Sequence, residues 1–236
     1  RGIPQAKWVC TYCWGRGCPR CNWEGKMYPT SVSELVAEPI LRAFEGEDYA
    51  FHAAGREDID ARMLGPGRPF VVEVKRPRKR KVDLRELEEE INRLAEGLVS
   101  VSNLRYVDRR FVRKIKTFRA EKVYEVLVRF PRPISDEELR ELEGALSGAL
   151  IRQRTPTRVL HRRADKVRLR RVRELKVVER LGPDLVKLRI TCDGGLYVKE
   201  LITGDGGRTT PSVSELIKGE AQPLELDVVD VLMEGV

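Results

Sequence analysis

Nothing in this sequence of 236 residues approaches a membrane span. Crossing hydrocarbon as a helix takes roughly 20 predominantly apolar residues, and no run nears that, so no membrane partner is expected. A signal-like amino terminus is lacking too, which points to a soluble, cytoplasmic protein. The chain does not begin with methionine. A chain that opens on Arg1 is expected to be a processed product or a piece of something longer, with an amino-terminal part missing. Also lacking is the regular alternation of strand and helix that a doubly wound sheet requires. Strands and helices interleave irregularly, so the expected fold class is α+β, a mixed, largely antiparallel sheet with packed helices. At this length the chain suits one large domain or a domain with a small appendage, and a monomer is expected.

Charge, by contrast, is abundant. Lys and Arg total 45 against 37 acids, a net charge of +8 with a pI near 9.4, which favours a polyanionic partner. The distribution says more than the total. Six of the seven residues from Lys75 to Lys81 are basic, Arg109 to Lys122 holds seven basic residues, and Arg158 to Arg173 holds eight opposed only by Asp165. A heavily solvated surface of the heat-stable kind would explain high charge but not clusters of one sign. Three clusters suggest an extended nucleic-acid surface.

Cys10, Cys13, Cys18 and Cys21 read C-x2-C-x4-C-x2-C. Two CxxC pairs can each bite one tetrahedral metal ion, and Gly15 and Gly17 let the backbone turn tightly between them. A disulfide framework is the alternative, but four cysteines within twelve residues of an intracellular chain favour zinc. With all four positions filled no coordination site is open, so the zinc is expected to be structural. Cys192 lies far off in a strand-like run and reads as a core residue.

Along the chain, Ser31 and Glu34 form a capping box ahead of a short helix with Leu35, Ile40, Leu41 and Phe44 as its apolar positions. The same pentapeptide, SVSEL, recurs at 212 to 216 without further similarity around it, and the two copies read as two helix starts. Residues 69–75 should be a strand. Asp83 and Glu86 open a helix with Leu84, Leu87, Ile91, Leu94 and Leu98 on one face, which should pack against a sheet. Val101 to Phe111 shows no clear period, and the basic stretch from Arg109 leads into a strand over residues 122–130. Ser135 and Glu138 open a helix with Leu139, Leu142, Leu146 and Leu150 as its buried stripe. The second half of the arginine-rich segment from Arg152 to Arg173 should be a strand presenting one face to phosphate. Strands over 185–192 and 224–232, and a short helix over 197–203, complete the expectation.

The segment from Phe51 to Phe70, FHAAGREDIDARMLGPGRPF, follows neither a helical nor a strand period, and a loop this charged usually carries function. Arg56 stands two residues before Asp58, and a nearby guanidinium keeps a carboxylate ionised. Asp58 is the candidate reactive group. It can act alone on a nucleotide. Alternatively Asp58 or Asp60 can work with Glu73 and Lys75, an acid followed by a strand carrying Glu-x-Lys, as in many divalent-metal nucleases. A glycine-rich turn whose acids cap backbone N–H groups is the bland alternative.

Three segments carry a resemblance: GREDIDARMLGPGRPF from Gly55, TRVLHRR from Thr157, and GLYVKELITGDGGRT from Gly195. In this order they closely resemble the archaeal and eukaryotic tRNA pseudouridine synthases of the Pus-ten type, and the cysteine knuckle and SVSEL look like the archaeal members. The resemblance implies a pseudouridine synthase fold, with a zinc knuckle at residues 1–28 and a catalytic domain at residues 29–236. It implies that Asp58 is the catalytic aspartate and that Tyr124, in the run Lys122, Val123, Tyr124, stacks on the target base. It also implies that Lys199 pairs with the aspartate and that Tyr197 lines the same pocket. Two departures stand out. Leu196 replaces the threonine that relatives often carry before Tyr197, and the amino-terminal THUMP-type RNA-binding domain is missing.

The chemistry agrees with this assignment. Making pseudouridine breaks the N1–C1′ bond, turns the uracil and reattaches it through C5, so no redox or other organic cofactor is needed. An ionised carboxylate, a stacking surface and a basic frame for folded RNA suffice. Arg56 or Lys199 would keep Asp58 charged, and the arginine clusters would hold the backbone of tRNA, whose expected target is the uridine pair at positions 54 and 55. A non-catalytic, zinc-containing RNA-binding module is the third alternative.

Overall fold

Helix starts are where local sequence and structure meet most directly. In the computed structural model, which describes residues 1–117 and 120–232, the Ser31 hydroxyl accepts the Glu34 N–H at 3.2 Å and opens α1 (Val32–Ala43). Orphan donors at that end also reach Pro4 and Gln5 carbonyls, so residues before the helix finish its cap. The helix buries Val36, Ala37 and Ile40, a face one position round from the expected one.

The chain divides into two units, Arg1–Asp60 with Arg68–Phe118, and Ala61–Gly67 with Arg119–Val236. In the first, β1 (Asp48–Ala53) leads out, β2 (Ala61–Met63) belongs to the second unit, and β3 (Phe70–Lys75) returns to pair antiparallel with β1 from Asp48 opposite Lys75 to Ala53 opposite Phe70. Strand alternation then sorts the side chains. Phe70, Val72 and Val74 join Val36, Ile40, Leu87, Ile91 and Val101 in one core, while Val71 packs with Ala54 and Ile115 in another. The second helix, α2 (Leu84–Leu94), is capped by Asp83, whose carboxylate accepts from Arg85 and Glu86 N–H. It ends earlier than the leucine spacing suggests: Leu94 and Leu98 are exposed, and Gly97 turns the chain at φ +78°. A third helix, α3 (Arg109–Thr117), was not expected. Asp108 caps it, and Phe111, Val112 and Ile115 form its packed side beneath the basic residues.

The second unit is a seven-stranded sheet of β2, β4 (Glu121–Arg129), β5 (Leu150–Arg154), β6 (Val167–Arg180), β7 (Leu185–Cys192), β8 (Thr209–Thr210) and β9 (Gln222–Leu232). Its order is β2-β9-β4-β7-β6-β5-β8, antiparallel throughout except for the β2–β9 pair. This is the expected mixed, largely antiparallel α+β arrangement. Across the middle, Tyr124 faces Ile190, Val126 faces Leu188 and Val128 faces Val186, an apolar row that is almost fully buried. The helix α4 (Asp136–Leu146) carries a complete Ser135/Glu138 capping box, buries Leu139, Leu142 and Leu146, and fixes itself to β6 through Glu143, which accepts the Val177 N–H. Leu150 does not extend its stripe. Gly148 at φ +79° ends the helix, and Leu150 begins β5 half-exposed. Two short helices follow β7: α5 (Val198–Thr203) and α6 (Val213–Leu216), the latter capped by Ser212 as the second SVSEL predicts.

Candidate active site and metal centre

The metal centre is the clearer of the two. The four knuckle cysteines are unpaired by disulfides, and their sulfurs all lie within 4.8 Å of one another. Cys10 and Cys18 are 3.9 Å apart, Cys13 and Cys21 3.8 Å, and Cys18 and Cys21 3.7 Å. Two thiolates on a tetrahedral zinc with bonds of about 2.3 Å stand about 3.8 Å apart. The donor set therefore fits zinc in both type and size. Burial raises the Cys21 thiol, but N–H groups of Cys18 and Gly25 aimed at its sulfur outweigh that and bring it down to about 7. Burial together with Cys21 pushes Cys18 up to about 11, and a bound cation would displace the proton from such a thiol. Lys26, 3.0 Å from buried Glu34, ties the knuckle to α1.

Asp58 and Arg56 lie in the first unit, on the loop after β1. Asp58 is half-buried and Arg56 exposed. Residues at the amino terminus lace this loop: Gly2 N–H donates to the Ile59 carbonyl at 2.9 Å, and the Gln5 amide to that of Gly55 at 3.2 Å. Arg68, approaching Glu57 at 3.7 Å, closes it from the other side. That brace was not legible in the sequence, which drew attention to Arg56. Glu73 and Lys75 share a strand face but are taken up locally, Glu73 by His52 at 3.4 Å and Lys75 by Asp48 at 2.6 Å. Among the described residues, the cysteine quartet is the group of metal-binding side chains drawn together.

Tyr124, Tyr197 and Lys199 lie in the second unit. Tyr124 is 3% exposed, at the end of the buried row, beside an irregularity where β9 shifts register between Val123 and Tyr124. Residues after the Asp58 loop are keyed to β9 there: Leu64 N–H donates to Val228, and Gly65, at φ +65°, comes so close that a Cβ on it would stand 2.1 Å from the Val229 carbonyl oxygen.

Tyr197 precedes α5, and the Gln153 side chain fixes it there. Gln153 is wholly buried; its amide oxygen accepts the Tyr197 N–H at 2.8 Å, and its nitrogen donates to the Tyr197 carbonyl at 3.0 Å and the Thr209 hydroxyl at 3.1 Å. One side chain thus replaces a stretch of backbone pairing. Guanidiniums of Arg158 and Arg168 stand 6.0 and 5.9 Å from the Tyr197 ring centre, within reach of its negative face. Arg158 also pairs at 2.7 Å with buried Glu200. Asp205 accepts the Thr157 N–H at 2.8 Å, and Arg154 and Arg208 converge on Asp165 at 2.6 Å each. The segments from Thr157 and from Gly195 are therefore one structural object, with Tyr197 and half-buried Lys199 set in it. The arginine run consequently has partners within the protein. Arg154, Arg158, Arg170, Arg171 and Arg173 all bond within the fold. No helix of the described residues is long and apolar enough to cross a membrane.

Comparison with known proteins gives the family. "tRNA pseudouridine synthase Pus10" of Methanothrix thermoacetophila is 54% identical over 231 residues, covering 98% of this chain and 51% of its own length. That of Methanopyrus kandleri is 52% identical over 237 residues, covering 100% of this chain and 54% of its own length. The chain thus spans about half the length of these curated relatives. The solved structure of a Cbf5-Nop10-Gar1 complex matches with a TM-score of 0.52 at 18% identity, over 85% of this chain and 45% of that one, a likeness of fold alone. The family model described as "Pus10, C-terminal" matches residues 1–232, and the chain belongs to that family.

Proposed function

We propose that this chain is the catalytic part of a tRNA pseudouridine synthase that isomerises T-loop uridine at position 54, position 55 or both. The observation that carries the reading is identity above 50% over nearly the whole chain to relatives bearing that name. The way the two motif segments interlock around Tyr197 supports it. In this proposal Asp58 supplies the carboxylate, Arg56 or Lys199 its cationic partner, and Tyr197 the pocket wall. Tyr124 is assigned to the target base by its motif, because its ring is nearly inaccessible here. The reaction is redox-neutral: N1–C1′ breaks, C5–C1′ forms, a proton leaves C5 and one is gained at N1. No organic cofactor is required. Zinc held by Cys10, Cys13, Cys18 and Cys21 orders residues 1–28 as a module beside the catalytic residues 29–236. The enzyme is proposed to work as a cytoplasmic monomer.

The test is incubation with an unmodified tRNA transcript, with and without a chelator of free divalent ions, mapping pseudouridine and strand breaks at nucleotide resolution. T-loop pseudouridine formed without added divalent metal is expected. Metal-dependent breaks would replace this reading with the nuclease, and neither product with the binding module. Asp58→Asn is expected to abolish isomerisation with tRNA affinity unchanged, and a large loss of affinity would remove Asp58 from the chemistry.

A further inference from the structure

We propose that the outer surface of the cysteine knuckle is a stacking platform for unpaired RNA bases, formed by Trp14, Trp23 and Tyr12. All three tryptophans of the chain, Trp8, Trp14 and Trp23, fall within its first 28 residues. Trp8 rests against Tyr28, with ring centres 5.6 Å apart. The other two point outward, Trp14 79% and Trp23 72% exposed, and Tyr12 is 62% exposed. Tryptophan side chains are highly buried on average. Both outward tryptophans come just after a CxxC pair, Trp14 next to Cys13 and Trp23 two positions after Cys21. Each also has a left-handed backbone, φ +53° and +64°, a conformation that bulky residues rarely adopt.

The frame behind them is tight. A Cβ on Gly17 would stand 2.7 Å from the Trp23 carbonyl oxygen, and one on Gly25 would stand 2.4 Å from that of Gly15. Trp14 N–H donates to Cys10 and Trp23 N–H to Cys18, each at 2.9 Å. The rings are therefore presented on backbone that is already fixed, which lowers the entropy lost on binding. Their surroundings identify the occupant. A protein groove or a lipid surface would call for mostly aliphatic neighbours, but beside exposed Val9, Pro19 and Met27 the exposed neighbours here are the polar or charged Thr11, Arg16, Arg20, Asn22 and Glu24. The Arg20 guanidinium already lies over the Tyr12 ring at 3.8 Å. Residues 1–28 hold Arg1, Lys7, Arg16, Arg20 and Lys26 against the single acid Glu24, so even with a zinc tetrathiolate counted at −2 the segment stays positive. Flat apolar faces set among cations match single-stranded nucleic acid, whose bases stack and whose phosphates pair. The proposal rests on the RNA-modifying reading only for the choice of RNA as the polyanion.

The tryptophans make the test direct, because all tryptophan emission from the chain, excited selectively over tyrosine, reports on the knuckle. The zinc-loaded 236-residue chain is titrated with a fluorescein-labelled oligouridylate of about twelve nucleotides and with duplex RNA of equal length. Label anisotropy gives binding, and tryptophan emission gives stacking. Saturable quenching by the single strand, and little by the duplex, is expected. Trp14→Ala/Trp23→Ala should weaken oligouridylate binding by about tenfold or more while still holding one zinc per chain, measured by mercurial release, which shows that the knuckle remains folded. Binding without quenching, equal binding by the zinc-loaded double variant, or no binding of the single strand would each overturn the proposal. The assay involves no isomerisation, so loss of pseudouridine formation with quenching retained would refute the proposed function and leave the platform standing.

Discussion

Replacing Gln153 with leucine keeps the volume and removes every polar contact that holds the start of α5. Gln153 is 0% exposed and makes three hydrogen bonds, two to the Tyr197 backbone and one to Thr209, itself 1% exposed. Each such bond is worth about 1 kcal/mol net, and a buried group left unpaired costs about 1–3 kcal/mol. Tyr197 is half-buried and its backbone can recover some water, so the lower figure suits all three contacts and the total is about 3 kcal/mol. For a chain of this size about 2–4 °C of melting temperature accompanies each kcal/mol, giving a fall of roughly 6–12 °C in a circular-dichroism melt. Thr209→Val, which removes one of the three contacts, should lose about a third of that. Below the melting range, Gln153→Leu should also lose pseudouridine formation more than tRNA affinity, because Tyr197 and Lys199 sit on the segment it pins. A variant melting together with the parent would refute the argument, since its only premise is that these buried bonds hold the segment in place.

Gly65→Ala should cost about 3 kcal/mol or more, since its left-handed φ and the close Val229 carbonyl both reject a Cβ; a denaturant midpoint equal to that of the parent would show that the 61–67 segment does not need its seat on β9. Stripping metal with a strong thiol-competitive chelator should release one zinc per chain and change tryptophan emission, all of which comes from residues 1–28. An unchanged spectrum after release would mean that the knuckle holds without metal. Glu138, hydrogen-bonded by Arg132 and by the Ser135 backbone and hydroxyl, titrates at about 2, below the ordinary 4.5. Its folded value is depressed, so its contribution is complete above about 4.5 and disappears as pH falls towards about 2. Glu138→Gln should therefore narrow its stability gap from the parent across that window, and a gap constant with pH would contradict the pairing.

What could be read from sequence followed the range of the forces involved. Caps at Ser31, Asp83, Ser135 and Ser212 are local, three-residue interactions, and each holds in the structure. Elements whose boundaries depend on a single backbone conformation were misjudged: leucine spacing carried two helices past Gly97 and Gly148, where positive φ ends them. The helix α3 was hidden because its packed residues, Phe111, Val112 and Ile115, are outnumbered by basic ones, and only Asp108 marks its start. At the candidate site, the motif strings contain Arg158 and Glu200 as well as Tyr197 and Lys199, but nothing local marks those two as partners, and Gln153, which pins Tyr197, lies outside the strings. Gln153 lies 44 residues from Tyr197 in sequence and Arg158 lies 42 from Glu200, and no local pattern records contacts of that range. The same distance hid the part that the arginine run plays inside the fold. Charge composition counts cations, and only the fold shows that one of them, Arg158, pairs inward with Glu200.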